Sequence, residues 1–161
     1  MTAVARAMRY GIFALVIALG AARSAAAFQL GGDDDDDGAG QTLTVRDETV
    51  EAVFVFQDSG YNDAVGWEGT ARVFTCYDVE PGFTTLVGTF KGERELVLTL
   101  TTPHGHVWSS GPGSRNVDEV AHARLIQSAP DTVLVRWEDL PGDGDRDFND
   151  CIYELHFTPG S

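Results

Sequence analysis

Basic side chains are scarce in this chain. Its 161 residues hold 11 Lys and Arg against 25 Asp and Glu, a formal net charge of −14. A surface so short of positive charge repels nucleic acid and anionic lipid, which excludes both as partners. Cysteine is equally sparse, with Cys76 and Cys151 as the only two. No second long apolar run follows the first 27 residues, so a polytopic membrane protein is excluded as well. The nucleophile-elbow pattern G-x-S-x-G and the zinc-protease pattern H-E-x-x-H are both missing.

What is present begins with a targeting segment. Arg6 and Arg9 precede an apolar stretch from Tyr10 to Ala22, and Ala25-Ala26-Ala27 supplies the small residues a signal peptidase requires. The apolar stretch is shorter than the roughly 20 residues that span a bilayer, so residues 1–27 read as a cleaved signal peptide rather than an anchor. No Cys follows it to accept a lipid. Without Arg6, Arg9 and Arg23, eight basic residues face 25 acidic ones, a net of −17. The expected location is secreted or periplasmic, with no membrane contact after cleavage. In such a compartment two cysteines invite a disulfide, which for a closed loop of this length contributes about 4 kcal/mol. The alternative is a pair of buried free thiols acting as small apolar groups.

Residues 28–41 are rich in Gly and contain the run Asp33 to Asp37. Adjacent carboxylates repel one another and do not pack, so this stretch reads as a disordered acidic linker. From residue 42 the texture changes to β-like runs bounded by turn residues: 50–57, 71–77, 84–90, 95–101, 122–128, 132–140 and 151–157. The stretch 117–127 also has a helix-like pattern, but Pro130 and its neighbours favour a strand. The fold class expected for 42–161 is all-β, a single β-sandwich of jelly-roll type. Alternation places Cys151, Tyr153, Leu155 and Phe157 on one face of the last strand, and Val133, Val135 and Trp137 on one face of the strand before it. The two form a hairpin whose tip is the segment between them.

That tip is the acidic part of the domain. Seven of the fourteen residues from Trp137 to Asp150 bear carboxylate or amide oxygens. Two carboxylates 4 Å apart repel by about 1 kcal/mol in water and about 4 kcal/mol at an effective dielectric of 20. Arg146 neutralises one of them, so a compact loop calls for a cation. The bland alternative is a solvated, open tip. The donors are all oxygen, with no His or Cys, which favours calcium, then magnesium or manganese, over zinc. Asp143, Asp145 and Asp147 have the spacing of an EF-hand, with Glu154 in its twelfth place. Phe148 stands where that loop needs Gly, however, and the flanks are strands, so it is not an EF-hand.

The stretch WEDLPGDGDRDFNDCIYEL resembles the signature of the bacterial domain of unknown function 4114, whose members carry EDL…GGDRDFND followed by a strand. The upstream VFQDSGYNDAVGWE is similar to that family's upstream segment, and the resemblance covers about residues 48–158. It implies an exported or cell-surface protein, often one attached to larger adhesin-like or calcium-binding chains. The ligands it implies are Asp139, Asp145, Asp147, Asn149 and Asp150; Asp143 joins them on the loop's composition. The chain departs from the family pattern at Asp143, where Gly is common, at Cys151, where an aliphatic is common, and in having no sorting tail after Ser161.

Several weaker signals remain. Phe148 is expected to anchor the loop against the core. Asn62 and Asp63 either approach the same ion from another loop or serve a turn beside Gly60 and Gly66. His104 and His106 form an H-x-H pair without a third ligand, which reads as a turn. Glu138 with a nearby Asp could form the acid/base pair of a glycosidase. Trp67, Trp108 and Trp137 either stack on a sugar or fill the core. The expected function is therefore a non-enzymatic, calcium-binding structural or adhesive module whose partner is an extracellular glycan or a cell-surface protein. A calcium-dependent carbohydrate-binding module is the alternative, followed by a secreted hydrolase.

Overall fold

A computed structural model describes residues 28–32, 39–142 and 144–160. The signal segment, the Asp33–Asp37 run and Asp143 lie outside the described residues. Twelve strands are described: β1 (Gln29–Gly31), β2 (Thr42–Arg46), β3 (Glu48–Phe56), β4 (Ala64–Trp67), β5 (Thr70–Thr75), β6 (Thr84–Thr89), β7 (Glu93–Glu95), β8 (Leu98–Thr101), β9 (Val107–Ser109), β10 (Ala123–Ala129), β11 (Thr132–Trp137) and β12 (Cys151–Pro159). They form a five-stranded sheet in the order β10-β11-β12-β3-β6, a four-stranded sheet in the order β5-β4-β8-β9 and a three-stranded sheet in the order β1-β2-β7. All pairings are antiparallel. Among the described residues there is no α-helix, only a 3-10 turn at Gly113–Arg115, and nothing helical is long and apolar enough to cross a membrane.

The sandwich follows from period-two patterning. In β12 the residues Cys151, Tyr153, Leu155 and Phe157 are all buried, and Val133, Val135 and Trp137 of β11 lie beside them. The four-stranded sheet contributes Val65, Phe74, Leu98, Leu100 and Trp108 to the same core. Cys76, just after β5, and Cys151, at the start of β12, form a disulfide that joins the two sheets, and no described cysteine is free. The ambiguous stretch at 117–127 becomes a strand only from Ala123, with irregular chain before it.

The expected boundary at residue 42 moves towards the N-terminus. Strand β1 pairs with β2, and Phe28 is buried in a stacked contact with Phe157, their ring centroids 4.3 Å apart. At the far side of the expected linker, the Gly40 N–H donates to the Ala123 carbonyl at 3.4 Å. Both ends of that stretch therefore belong to the folded body. Phe28 carries enough apolar area to hold a strand too short to be recognised by pattern.

Candidate metal site

The β11–β12 hairpin closes through Trp137 opposite Cys151, leaving 138–150 as its tip. Four residues of the tip take a left-handed backbone at every second position: Gly142, Gly144, Arg146 and Phe148. For Arg146 and Phe148 such a conformation costs about 1–3 kcal/mol each, so it persists only where the surroundings dictate it. They do so here. Phe148 is buried beneath the guanidinium of Arg124, which sits 3.9 Å from its ring centroid. Arg136 donates from Nε to the Phe148 carbonyl at 3.0 Å and from its terminal nitrogen to the Asp147 carbonyl at 2.9 Å. The tip is thereby folded back on its own strands.

This folding brings carboxylates together in two groups that share Glu138. Oxygens of Glu138, Asp139 and Asp150 lie within 4.8 Å of one another, and so do those of Glu138, Asp145 and Asp147. The first group is inside the protein, with Glu138 and Asp139 only 2% and 3% exposed. The second is at the surface. Glu138 stays in place because its carboxylate accepts from the Arg146 N–H at 3.1 Å and from the Leu140 N–H at 3.4 Å. Gly144 passes directly over it, so a Cβ there would meet Glu138 Oε1 at 2.2 Å. The backbone of Asp139 is held at both ends: its N–H donates to the Asp150 carboxylate at 2.7 Å, and its carbonyl accepts from the Trp108 indole at 2.8 Å.

A second loop closes on the inner group. Residues 57–63 connect β3 to β4, and the Asp58 N–H donates to the Asn149 carbonyl at 3.1 Å. The Ser59 hydroxyl donates to the Asp139 carboxylate and accepts from the Tyr61 N–H at 2.7 Å. Asp63 is fully buried, and neither of its carboxylate oxygens has a hydrogen-bond partner among the described residues. Burial first, and then the Asp139 carboxylate, push Asp63 up to about 7, with the neighbouring Ser59 hydroxyl pulling the other way. Asp150 is likewise pushed up to about 7 by burial, which outweighs the Asp139 N–H bond and is reinforced by the charges of Asp139 and Glu138. Burial raises Glu138 as well, against the lowering effect of its backbone donors and with help from Asp145.

A polar brace lies behind the site. His122 is fully buried and stacked on Trp108, its ring centroid 3.8 Å away. Its Nδ1 lies 2.9 Å from the Glu138 carbonyl oxygen and its Nε2 2.9 Å from Asp118. Burial opposes ionisation of Asp118, but N–H donors from Gly142 and Val120 together with His122 outweigh it and hold the carboxyl below its ordinary value.

The sequence-predicted residues therefore separate. Asp139 and Asp150 fall in the inner group, Asp145 and Asp147 in the outer one. Asn149 lies beside the outer group, its side-chain amide donating to the Asp147 carboxylate at 2.7 Å. Glu138 belongs to both groups, although sequence reading considered it only as a catalytic acid. Strand alternation points it to the solvent side with Arg136, whereas the chain leaves the strand at this residue and turns it inward. Asn62 reaches across to the chain after β5, its side-chain oxygen accepting from the Tyr77 N–H at 3.3 Å. His104 packs edge-on against Tyr61 and His106 stacks on Trp108, and neither belongs to a ligand group among the described residues. Trp108 and Trp137 are fully buried and Trp67 is half-buried against Phe90, so the three form no common stacking platform.

Fold and site together define an all-β sandwich with acidic clusters able to hold a metal ion at one end. Comparison with protein-family models, curated proteins and solved structures finds no match for the chain.

Proposed function

We propose that this chain is an exported β-sandwich that binds calcium at the 138–150 tip and serves as a structural or adhesive module. The observation that carries the reading is the convergence of Glu138, Asp139 and Asp150, two of them buried. Carboxylates so placed repel by several kcal/mol unless a cation joins them. The donors are all oxygen, which suits a hard cation, and the flexible coordination of calcium asks less of the site than the strict octahedron of magnesium. Disulfides persist in oxidising compartments, so the Cys76–Cys151 bridge supports export. The resemblance to domain of unknown function 4114 points the same way.

Thermal melts in calcium, in magnesium and in chelator test this. A ligand at 100 times its dissociation constant adds about 2.7 kcal/mol. In a domain of this size that corresponds to a rise of roughly 10 °C. Magnesium at equal concentration should give a much smaller rise. Coincident melts in calcium and chelator, with no heat on titration, remove the proposal.

A further inference from the structure

We propose that Asp63, on the β3–β4 loop, is a ligand of the same cation, so that the ion fastens the four-stranded sheet to the five-stranded one. This rests on the cation reading of the 138–150 tip and extends it to a second loop. Asp63 has two carboxylate oxygens buried without a hydrogen-bond partner among the described residues. Buried carboxylates are normally paired with a cation or fully hydrogen-bonded, because an unpaired one loses its hydration for nothing in return. The carboxyl groups acting on it, Asp139 and Asp150, both belong to the inner group.

The backbone gives Asp63 no easy way out. Its carbonyl accepts from the Cys76 N–H at 2.9 Å, and the next residue, Ala64, is paired with both Thr75 and Thr101. The loop is also stitched to the hairpin through Ser59 on Asp139 and Asp58 on Asn149. An oxygen donor fixed in this way at the margin of the inner group, fully buried and without a hydrogen-bond partner among the described residues, has the properties of a metal ligand. The geometry also has a competing explanation, in which a proton shared within the acidic group takes the place of the ion. Calcium affinity separates the two.

The experiment uses the oxidised chain and its Asp63→Asn variant, with calcium as the probe. Melts in chelator and calcium are combined with calorimetric titration. Asp63→Asn keeps the shape and removes a buried charge. It should raise the melting temperature in chelator while weakening calcium binding about tenfold or more, the range seen when the support of a metal ligand is lost. Opposite signs in the two conditions mark a ligand, because a residue that only holds the fold would destabilise both. Unchanged calcium affinity in Asp63→Asn, with the wild type binding normally, overturns the role of Asp63 and leaves the cation site intact. If the wild type gives no heat with calcium, the underlying cation reading fails and this inference with it. Should Asp63→Asn not fold, Asp63→Ser gives the same readouts. Asn62→Ala, which alters the same loop outside the acidic group, should leave calcium affinity unchanged.

Discussion

Glu138 has two neighbourhoods because its carboxylate lies at the seam between the buried and exposed carboxylates of the tip. Gly144 covers it so closely that any side chain there collides with Oε1, and its φ of 50° is costly for every residue but glycine. Gly144→Ala should therefore cost about 1–3 kcal/mol of stability and displace Glu138, weakening calcium binding. Urea unfolding and calorimetry read the two effects separately. Normal calcium affinity in a folded Gly144→Ala chain would show that Glu138 does not hold the ion. Protons compete at the same atoms. Asp63 and Asp150 are raised to about 7 in the folded chain, whereas an unfolded Asp titrates near about 3.9. Between these values the folded state binds more protons than the unfolded one, so in chelator the stability falls as pH rises from about 4 to 7. Asp118 acts in the opposite sense, its contribution being lost only as pH falls below the ordinary carboxylate range. With calcium, acidification through about 7 should weaken binding. Urea midpoints at the two ends of the window, with and without calcium, check the sign; a chelated protein that gains stability with rising pH contradicts it.

At the scale of elements, β11, β12 and their joining tip were legible because two independent signals agree there. Strict alternation fixes the buried face, and a crowd of carboxylates marks the turn. Other elements were hidden by their own chemistry. Strand β4 is four residues long and contains Gly66, which reads as a turn residue. The run 95–101 looks like one strand, yet Leu96 and Val97 are buried where the chain crosses between sheets: the Leu96 N–H donates to the Leu43 carbonyl within β2, and the Val97 carbonyl accepts from the Glu68 N–H just after β4. Apolar continuity cannot reveal a change of partner. Phe148 was legible as an anchor, but its left-handed backbone was not. That conformation yields a comparison within one position. Phe148→Ala loses the buried ring, a change that costs about 3–5 kcal/mol in a core, and keeps the backbone penalty. Phe148→Gly loses the same ring but adopts φ 52° freely, so it should be about 1 kcal/mol more stable than the Ala variant. An Ala variant that is the more stable of the two would mean that the tip relaxes out of this conformation when the ring is removed.

On the scale of the whole molecule, the sequence offered the approach of the 57–63 loop to the acidic tip only as one of two alternatives, because Asp63 and Asp139 are brought together by the stacking of one sheet on another. The covalent bond that holds those sheets lies beside the same acids. Cys76 donates its N–H to the Asp63 carbonyl, and Cys151 directly follows Asp150. Closing a loop with a sequence separation of 75 removes chain entropy equivalent to about 4 kcal/mol in the unfolded state. It also fixes the span across which the cation would bind. Calcium affinity and disulfide stability should therefore be linked, and such a coupling is reciprocal. Reduced protein that remains folded should bind calcium more weakly than oxidised protein. Calcium, in turn, should slow reduction by a thiol reagent, because the bridge is buried and is reached only when the sheets part. Thiol release followed over time, with calcium and with chelator, measures one direction, and titration of the reduced chain measures the other. Equal reduction rates together with equal affinities would show that the two fastenings act independently, even though they meet at the same corner of the sandwich.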